Sequence, residues 1–426
     1  MTVAVFLGSL LLAMFIGMPI AYALLASGVA LMWHLDMFDA QILAQNFING
    51  ADSFPLLAVP FFMLAGEIMN VGGLSRRIVN VAMALVGHVP GGLGYVTILA
   101  ACLLSALSGS AVADAAALTA LLLPMMVRAG HQQARAGGLI AASGIIGPII
   151  PPSIGFVIFG VAANVSISKL FLAGIVPGLL IGVALAATWW WLGRHEQITP
   201  PERRSRAEVL AAARESFWAL LLPVIILVGL RMGVFTPTEA AVVAAVYALL
   251  VAGLIYRELK PRMLMDIFCT AAKTTSVVMF LIAAAMVSAW LITVADLPGK
   301  MIDMLEPLLA QPTLLLLAIM LLVMAVGTAM DMTPTILIMT PVLMPVIKAA
   351  GIDPVYFGVL FIINNSIGLI TPPVGTVLNV VAGVGRMKMD AVTRGVMPFM
   401  LAQFGVMLLL VLFPPLVTAP LRWMTA

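Results

Sequence analysis

The sequence predicts an all-α polytopic membrane protein made of two inverted repeats, each with a re-entrant helical hairpin and a broken transmembrane helix. Three observations carry that prediction. Hydrophobic residues make up 63% of the 426 residues and charged residues only 9%, whereas soluble domains carry about 25% charge. The few basic residues fall mostly on one side of a consistent threading. A pattern of Gly and Pro positions recurs 221 residues further along the chain.

So little charge cannot cover a water-facing surface. A soluble enzyme, a nucleic-acid-binding protein and a disordered chain are therefore excluded, and lipid is the solvent for most of the chain. Mean hydropathy is +1.17. The net charge of +3 says little by itself. Cys102 and Cys269 lie far apart in apolar stretches and read as small buried hydrophobes. His34, His88, His131 and His195 are scattered and suggest no metal site. The N-terminus has no basic region ahead of its apolar run, which argues against a cleaved signal peptide.

Apolar blocks run over 3–33, 54–71, 93–127, 136–163, 170–193, 216–235, 237–256, 270–294, 312–346, 355–380 and 395–419. A spanning helix needs about 20 apolar residues. Block 3–33 is either one long helix or two short ones broken at Gly17-Met18-Pro19, which leaves the side of the N-terminus open. Loop 34–53 holds Asp36, Asp39 and Asp52 and no basic residue, which places it outside. Arg76 and Arg77 then lie inside. Block 93–127 is too long for one crossing and has Ser108-Gly109-Ser110 at its middle, so it reads as a hairpin that returns to the cytoplasmic side. Block 312–346 reads as a second hairpin, opening to the outside. With both hairpins, fifteen of the 21 basic residues fall inside, five outside, and Lys273 within a helix. Making either block a single crossing spoils that bias.

Residues 124–177 align without gaps on 345–398, with twelve of 54 positions identical. Eight identities are Gly or Pro, where chance supplies about one at average composition. Because Gly and Pro fix backbone geometry, the halves share bends more than side chains. Five crossings separate the hairpins, and an odd number inverts the second half. The repeats are assigned to 1–193 and 216–426, with a cytoplasmic linker over 194–215.

In hydrocarbon, irregular backbone survives only when buried or lining a cavity. Ser143-Gly144-Ile145-Ile146-Gly147-Pro148 with Pro151-Pro152 interrupts block 136–163. Asn364-Asn365-Ser366-Ile367-Gly368 with Thr371-Pro372-Pro373 interrupts block 355–380. Such breaks free carbonyls for a cation and expose helix N-termini to an anion. The expectation is two symmetry-related cation sites with an anionic or polar substrate between them. Asp114 and Asp331 are intramembrane carboxylates, a residue class that is functional by default. Asp331 lies at a hairpin tip. Asp114 either ligates or braces its helix. Glu67 and Lys273 read as snorkelling or locally paired groups. Thr236-Pro237-Thr238-Glu239 reads as a capped helix start. Residues 195–215 read as a solvated amphipathic linker, and Trp189-Trp190-Trp191 and Trp423 as interfacial anchors.

Leu107-Ser108-Gly109-Ser110-Ala111-Val112-Ala113-Asp114, Gly147-Pro148-Ile149-Ile150-Pro151-Pro152-Ser153-Ile154 and Lys169-Leu170-Phe171-Leu172-Ala173-Gly174-Ile175-Val176-Pro177-Gly178 carry a family resemblance. So do Phe235-Thr236-Pro237-Thr238-Glu239-Ala240-Ala241, Thr340-Pro341-Val342-Leu343-Met344-Pro345, Gly351-Ile352-Asp353-Pro354 and Thr371-Pro372-Pro373-Val374-Gly375. Together they resemble, nearly end to end, the DctM-like large membrane subunit of TRAP (tripartite ATP-independent periplasmic) transporters. The resemblance implies an elevator-type carrier of the bacterial inner membrane. Sodium is the coupling ion, the substrate is an organic acid such as a dicarboxylate or sialic acid, and no other cofactor is implied. The implied partners are a periplasmic binding protein and a small four-helix membrane subunit, to which this sequence resembles the unfused form. Carried over, the cation ligands are Ser108, Gly109, Ser110, Ser143 and Gly147 in the first half. In the second they are Gly327, Thr328, Asp331, Asn364, Asn365 and Thr371. Substrate contacts are assigned to Ser108, Ser153, Thr333, Asn364 and Thr376. The alternative within this class is a stand-alone sodium/anion symporter that needs no binding protein. An intramembrane enzyme would require a nucleophile–base pair or a metal motif in the apolar segments, and the sequence has neither. Nothing in it suggests the filter ring of a channel.

Overall fold

Proline, glycine and capping side chains cut the apolar chain into helices. The computed structural model describes residues 2–194 and 203–425, and every regular element in them is helical. Helices α1 (Thr2–Phe15) and α2 (Ile20–His34) are separate and pack together, with Gly17 at a φ of +88° in the turn between them. Block 3–33 is therefore two helices. Asp39 caps α3 (Ala40–Ala51), accepting hydrogen bonds from the Gln41 and Ile42 amides at 2.7 and 3.3 Å. A 3-10 turn (Phe54–Leu57) leads into α4 (Ala58–Val71), and α5 (Leu74–Val86) follows. The first hairpin is α6 (Gly92–Ser108) and α7 (Ala111–Arg128). The first broken segment is α8 (Gln133–Gly144) and α9 (Ile154–Ala163), after which α10 (Ile167–Gly193) runs uninterrupted.

The second half opens with α11 (Arg206–Arg231) and α12 (Pro237–Leu250), which ends in a π turn at Val251–Ile255. Then come α13 (Pro261–Val294), α14 (Leu297–Leu309), the hairpin α15 (Pro312–Gly327) and α16 (Met332–Ala349), and the broken pair α17 (Pro354–Gly368) and α18 (Thr376–Val384). Helices α19 (Met389–Leu412) and α20 (Pro415–Thr425) complete the chain. Among the described residues, eight helices are long and apolar enough to cross a membrane by length and composition.

Hydropathy blocks do not contain α3, α5 and α14. These are amphipathic helices, whose alternating faces break up any continuous apolar run. Helix α11 starts at Arg206, ten residues ahead of its apolar block. Its start is fixed by a capping box in which the Ser205 hydroxyl accepts from the Glu208 amide and the Glu208 carboxylate accepts from the Ser205 amide. Part of the expected linker is thus helix, and residues 195–202 lie outside the described residues. The box at Thr236 and Glu239 forms as expected, with Pro237 at the first helical position.

The spacing of 221 residues recurs in the elements. Helix α7 ends at Arg128 and α16 at Ala349; α9 covers Ile154–Ala163 and α18 covers Thr376–Val384; α10 answers to α19 and α5 to α14. The Pro151-Pro152 and Pro372-Pro373 bonds are both cis.

Burial puts the breaks at the centre. Residues 136–153 are all buried, and so are 355–370. Around them α7, α10, α15 and α19 pack as an inner group, with α8 against α19 and α17 against α15. Helices α2, α3, α4, α12 and α13 pack on one another outside it. The inner group is closest where α8 crosses α19: a β-carbon at Gly138 would run into the Gly395 backbone, and one at Gly395 into the Ala134 carbonyl. The Gln403 amide of α19 donates to the Ala142 carbonyl of α8 at 2.8 Å.

Candidate functional site

In the first half the hairpin tip seats directly on the break. Gly109 terminates α6 with a φ of +60°, a conformation only glycine adopts freely. A β-carbon there would lie 2.5 Å from the Pro152 carbonyl oxygen and 3.1 Å from the Ser153 α-carbon. Ser110 then caps α7, accepting from the Ala113 amide at 3.4 Å. The Ser108 hydroxyl donates to one carboxylate oxygen of Asp114 at 2.5 Å and accepts from the Ser110 amide at 3.2 Å. Asp114 is buried, and its second oxygen has no hydrogen-bond partner. That oxygen points at the break, since a β-carbon built on Gly147 would lie 2.6 Å from it. The Ser143 hydroxyl, on the last turn of α8, is likewise buried and unpartnered. An unpaired carboxylate oxygen in a buried site is costly. With an unpaired hydroxyl on the last turn before the break, it suits a small hard cation.

In the second half the partnerless oxygen comes from the break and faces the hairpin. Gly327 ends α15, and a β-carbon on it would lie 3.0 Å from the Asn365 side-chain oxygen and 3.5 Å from the Gly368 α-carbon. The Asn365 oxygen is buried without a partner, while its amide donates to the Met332 carbonyl across the tip at 3.2 Å. Asn364, which answers to Ser143 at the repeat spacing, donates to the Met320 carbonyl of α15 at 2.6 Å. Asp331 occupies the cap position of α16, but its carboxylate makes no capping hydrogen bond and is exposed. Its backbone carbonyl accepts from the Thr335 hydroxyl at 2.9 Å.

Between the tips lies a cavity of about 260 Å³. Ser110 and Ala111 reach it from α7, Ile154 and Gly155 from α9, and Asp331 to Thr333 from α16. Three helix N-termini therefore face one space, each presenting free amides and the positive end of its dipole. That favours a carboxylate. The far wall is Met63 of α4 with Thr274 and Val278 of α13.

The structure brings together Ser108, Gly109, Ser110, Ser143 and Gly147 on one side, and Gly327 and Asn365 on the other, whereas the Asn364 side chain turns to the Met320 carbonyl further up α15. Thr333 lines the cavity. Ser108, Ser153, Asn364 and Thr376 do not; Ser108 lines a smaller neighbouring cavity. Ser153 is a buried cap that donates to the Pro148 carbonyl at 2.5 Å and accepts from the Phe156 amide at 3.2 Å, so it closes the break. The Thr328 hydroxyl donates to the Ala325 carbonyl at 2.8 Å, and the Thr371 hydroxyl to the Ile367 carbonyl at 2.8 Å. The Thr376 hydroxyl is buried without a partner at the start of α18. Asp114 was legible only as a choice between brace and ligand, and its geometry has both features. Its position one turn into α7, six residues from Ser108, was the signal. Glu67 is half-buried and makes no ion pair among the described residues; it lines a smaller cavity beside the first tip.

A helical membrane protein with two hairpin tips seated on two buried chain breaks defines the class of a secondary carrier. The chain matches the family described as "Tripartite ATP-independent periplasmic transporter, DctM component" over residues 7–416. It is 58% identical over 423 residues to the 2,3-diketo-L-gulonate TRAP transporter large permease protein YiaN of Escherichia coli (strain K12), covering 99% of this chain and 100% of that one. It is 41% identical to the sialic acid TRAP transporter large permease protein SiaM of Vibrio cholerae, covering 94% of each. Among solved structures, the Alcanivorax borkumensis YdaH transporter shares the fold, with a TM-score of 0.64 at 17% identity over 88% of this chain and 89% of that one. The protein belongs to the DctM family of TRAP transporter large permeases and resides in the bacterial inner membrane.

Proposed function

We propose that this permease is sodium-coupled and imports an organic acid, delivered by a periplasmic binding protein, by an elevator movement of the inner helix group against the outer one. The small four-helix subunit belongs with the outer group in this reading. The observation that carries it is the unpartnered, buried Asp114 oxygen aimed at the Gly144–Gly147 break, mirrored by the Asn365 oxygen at Gly327. Sodium bound at each tip–break contact would hold the hairpin closed and neutralise the local charge. The two halves, 1–193 and 216–426, act as inverted repeats. The substrate carboxylate sits in the 260 Å³ cavity against the N-termini of α7, α9 and α16, its charge offset by the bound cations. Identity of 58% to a permease named for a diketogulonate makes a sugar acid the favoured substrate class.

The test is uptake of radiolabelled 2,3-diketo-L-gulonate into proteoliposomes. Uptake should require this chain, its small subunit, the loaded binding protein and an inward sodium gradient together. Full-rate uptake by this chain alone would overturn the tripartite assignment and leave a stand-alone symporter. Uptake that ignores sodium would overturn the coupling.

A further inference from the structure

Glu67 stands where α4 meets the first hairpin tip. Its neighbour Gly66 faces the tip, where a β-carbon would make ordinary contact, 3.8 Å from the Ser108 α-carbon. Beside the contact is a cavity of about 90 Å³ lined by Glu67 and Asn70 of α4 with Ser108 and Ser110 of the tip. Glu67 is the single ionisable group among its described lining residues. The cavity shares Met63, Ser110, Ile154 and Thr274 with the 260 Å³ cavity between the tips, so the two are adjoining spaces. Among the described residues Glu67 takes part in no ion pair. Arg76 and Arg77 of neighbouring α5 are both engaged by Glu258, at 2.6 and 2.7 Å. Lys273 on α13 is exposed and also lacks an ion pair among the described residues.

An unneutralised carboxylate beside a substrate cavity is a poor choice for holding an organic anion; Asp331, which lines the larger cavity, belongs to the hairpin itself, whereas Glu67 belongs to α4. It acts instead on the net charge of what the hairpin carries. A partly buried site attenuates charge–charge interaction far less than bulk water does. An organic anion entering without cations therefore meets repulsion from Glu67, whereas an anion accompanied by cations does not. We propose that Glu67 is a charge-selectivity residue of the transport step: a fixed carboxylate on α4 that opposes movement of the hairpin when it holds the anion without its cations. This rests on the reading of a sodium-coupled organic-acid carrier.

The experiment uses proteoliposomes of the full complex preloaded with the sugar acid of the uptake assay, and follows its exit into sodium-free choline buffer. Wild type should retain the substrate. Glu67→Gln should raise sodium-free exit roughly tenfold, the scale of one unit charge across a partly buried site. Glu67→Asp should stay near wild type, and the half-saturating sodium concentration for driven uptake should be the same in all three. Thr274→Lys brings a counter-charge to the same wall and should reproduce the leak with Glu67 intact, which covers the case of a Gln variant that fails to fold. A Gln variant as tight as wild type, or a leak equal in the Asp and Gln variants, overturns the assignment. Sodium-free exit from wild type itself would overturn the parent reading of sodium coupling, a result the variant comparison does not produce.

Discussion

Asp114 holds its place through one oxygen and offers the other. The Ser108 hydroxyl takes the first, and the break at Gly147 leaves room for the second only because that position has no side chain. Asp114→Asn keeps the volume and removes the charge. It should raise the sodium concentration for half-maximal uptake at least about tenfold, since hydrogen bonds and contacts to a charged group are worth roughly 1.5–3 kcal/mol. Membrane insertion should be unchanged, and sodium titration of initial uptake rates reads both. Ser108→Ala and replacement of Asn364 should weaken sodium dependence in the same direction; unchanged sodium affinity in these variants would mean the sites lie elsewhere. Gly109→Ala is more severe. The left-handed backbone costs an alanine about 1–2 kcal/mol, and its β-carbon meets the Pro152 carbonyl. The tip should lift off the break, with uptake lost while protein levels in the membrane persist. The sequence exposed Ser108, Gly109, Asn364 and Asn365 because polar residues stand out in an apolar run. It could not tell Asp114 the brace from Asp114 the ligand, because that depends on which of two oxygens the fold satisfies.

Helix starts were the most legible elements. Thr236, Pro237 and Glu239 follow the capping pattern in sequence, and both reciprocal hydrogen bonds are present. Thr236→Ala should cost about 1 kcal/mol of stability and leave the sodium dependence of uptake intact, as thermal melting and transport measured side by side would show. The amphipathic α3, α5 and α14 were not legible from hydropathy, because a helix with one polar face never forms a continuous apolar block. Nor was the crossing of α8 and α19. Gly138 and Gly395 are more than 250 residues apart in sequence, and only the fold presses their backbones together. Gly395→Val should destabilise by about 3 kcal/mol through overpacking, read as a lower melting temperature in detergent. Gly405→Ala on the same helix has open space around it and should be neutral.

At the scale of the whole molecule, composition identified the solvent, and the recurrence at 221 residues reappears in the helix boundaries. Burial explains why the fold has a fixed centre: chain breaks in hydrocarbon must be enclosed by protein, and residues 136–153 and 355–370 are the most completely enclosed segments among the described residues. What the sequence could not reveal was the grouping of helices around them, because contacts such as those of α4 with α12 and α13 join segments about 200 residues apart. We propose that each enclosed break, closed by its hairpin tip, binds sodium. Ligand binding to the folded state raises stability by about 2.7 kcal/mol at a hundredfold excess over the dissociation constant. The direct measurement is thermal melting of the purified chain titrated with sodium, potassium and choline chloride at constant ionic strength. Sodium alone should raise the melting temperature in a saturable way. Asp114→Asn and Asn365→Ala should each remove part of the rise, and the double variant should remove it all. An equal response to potassium, or a double variant that melts and responds like wild type, would contradict the account.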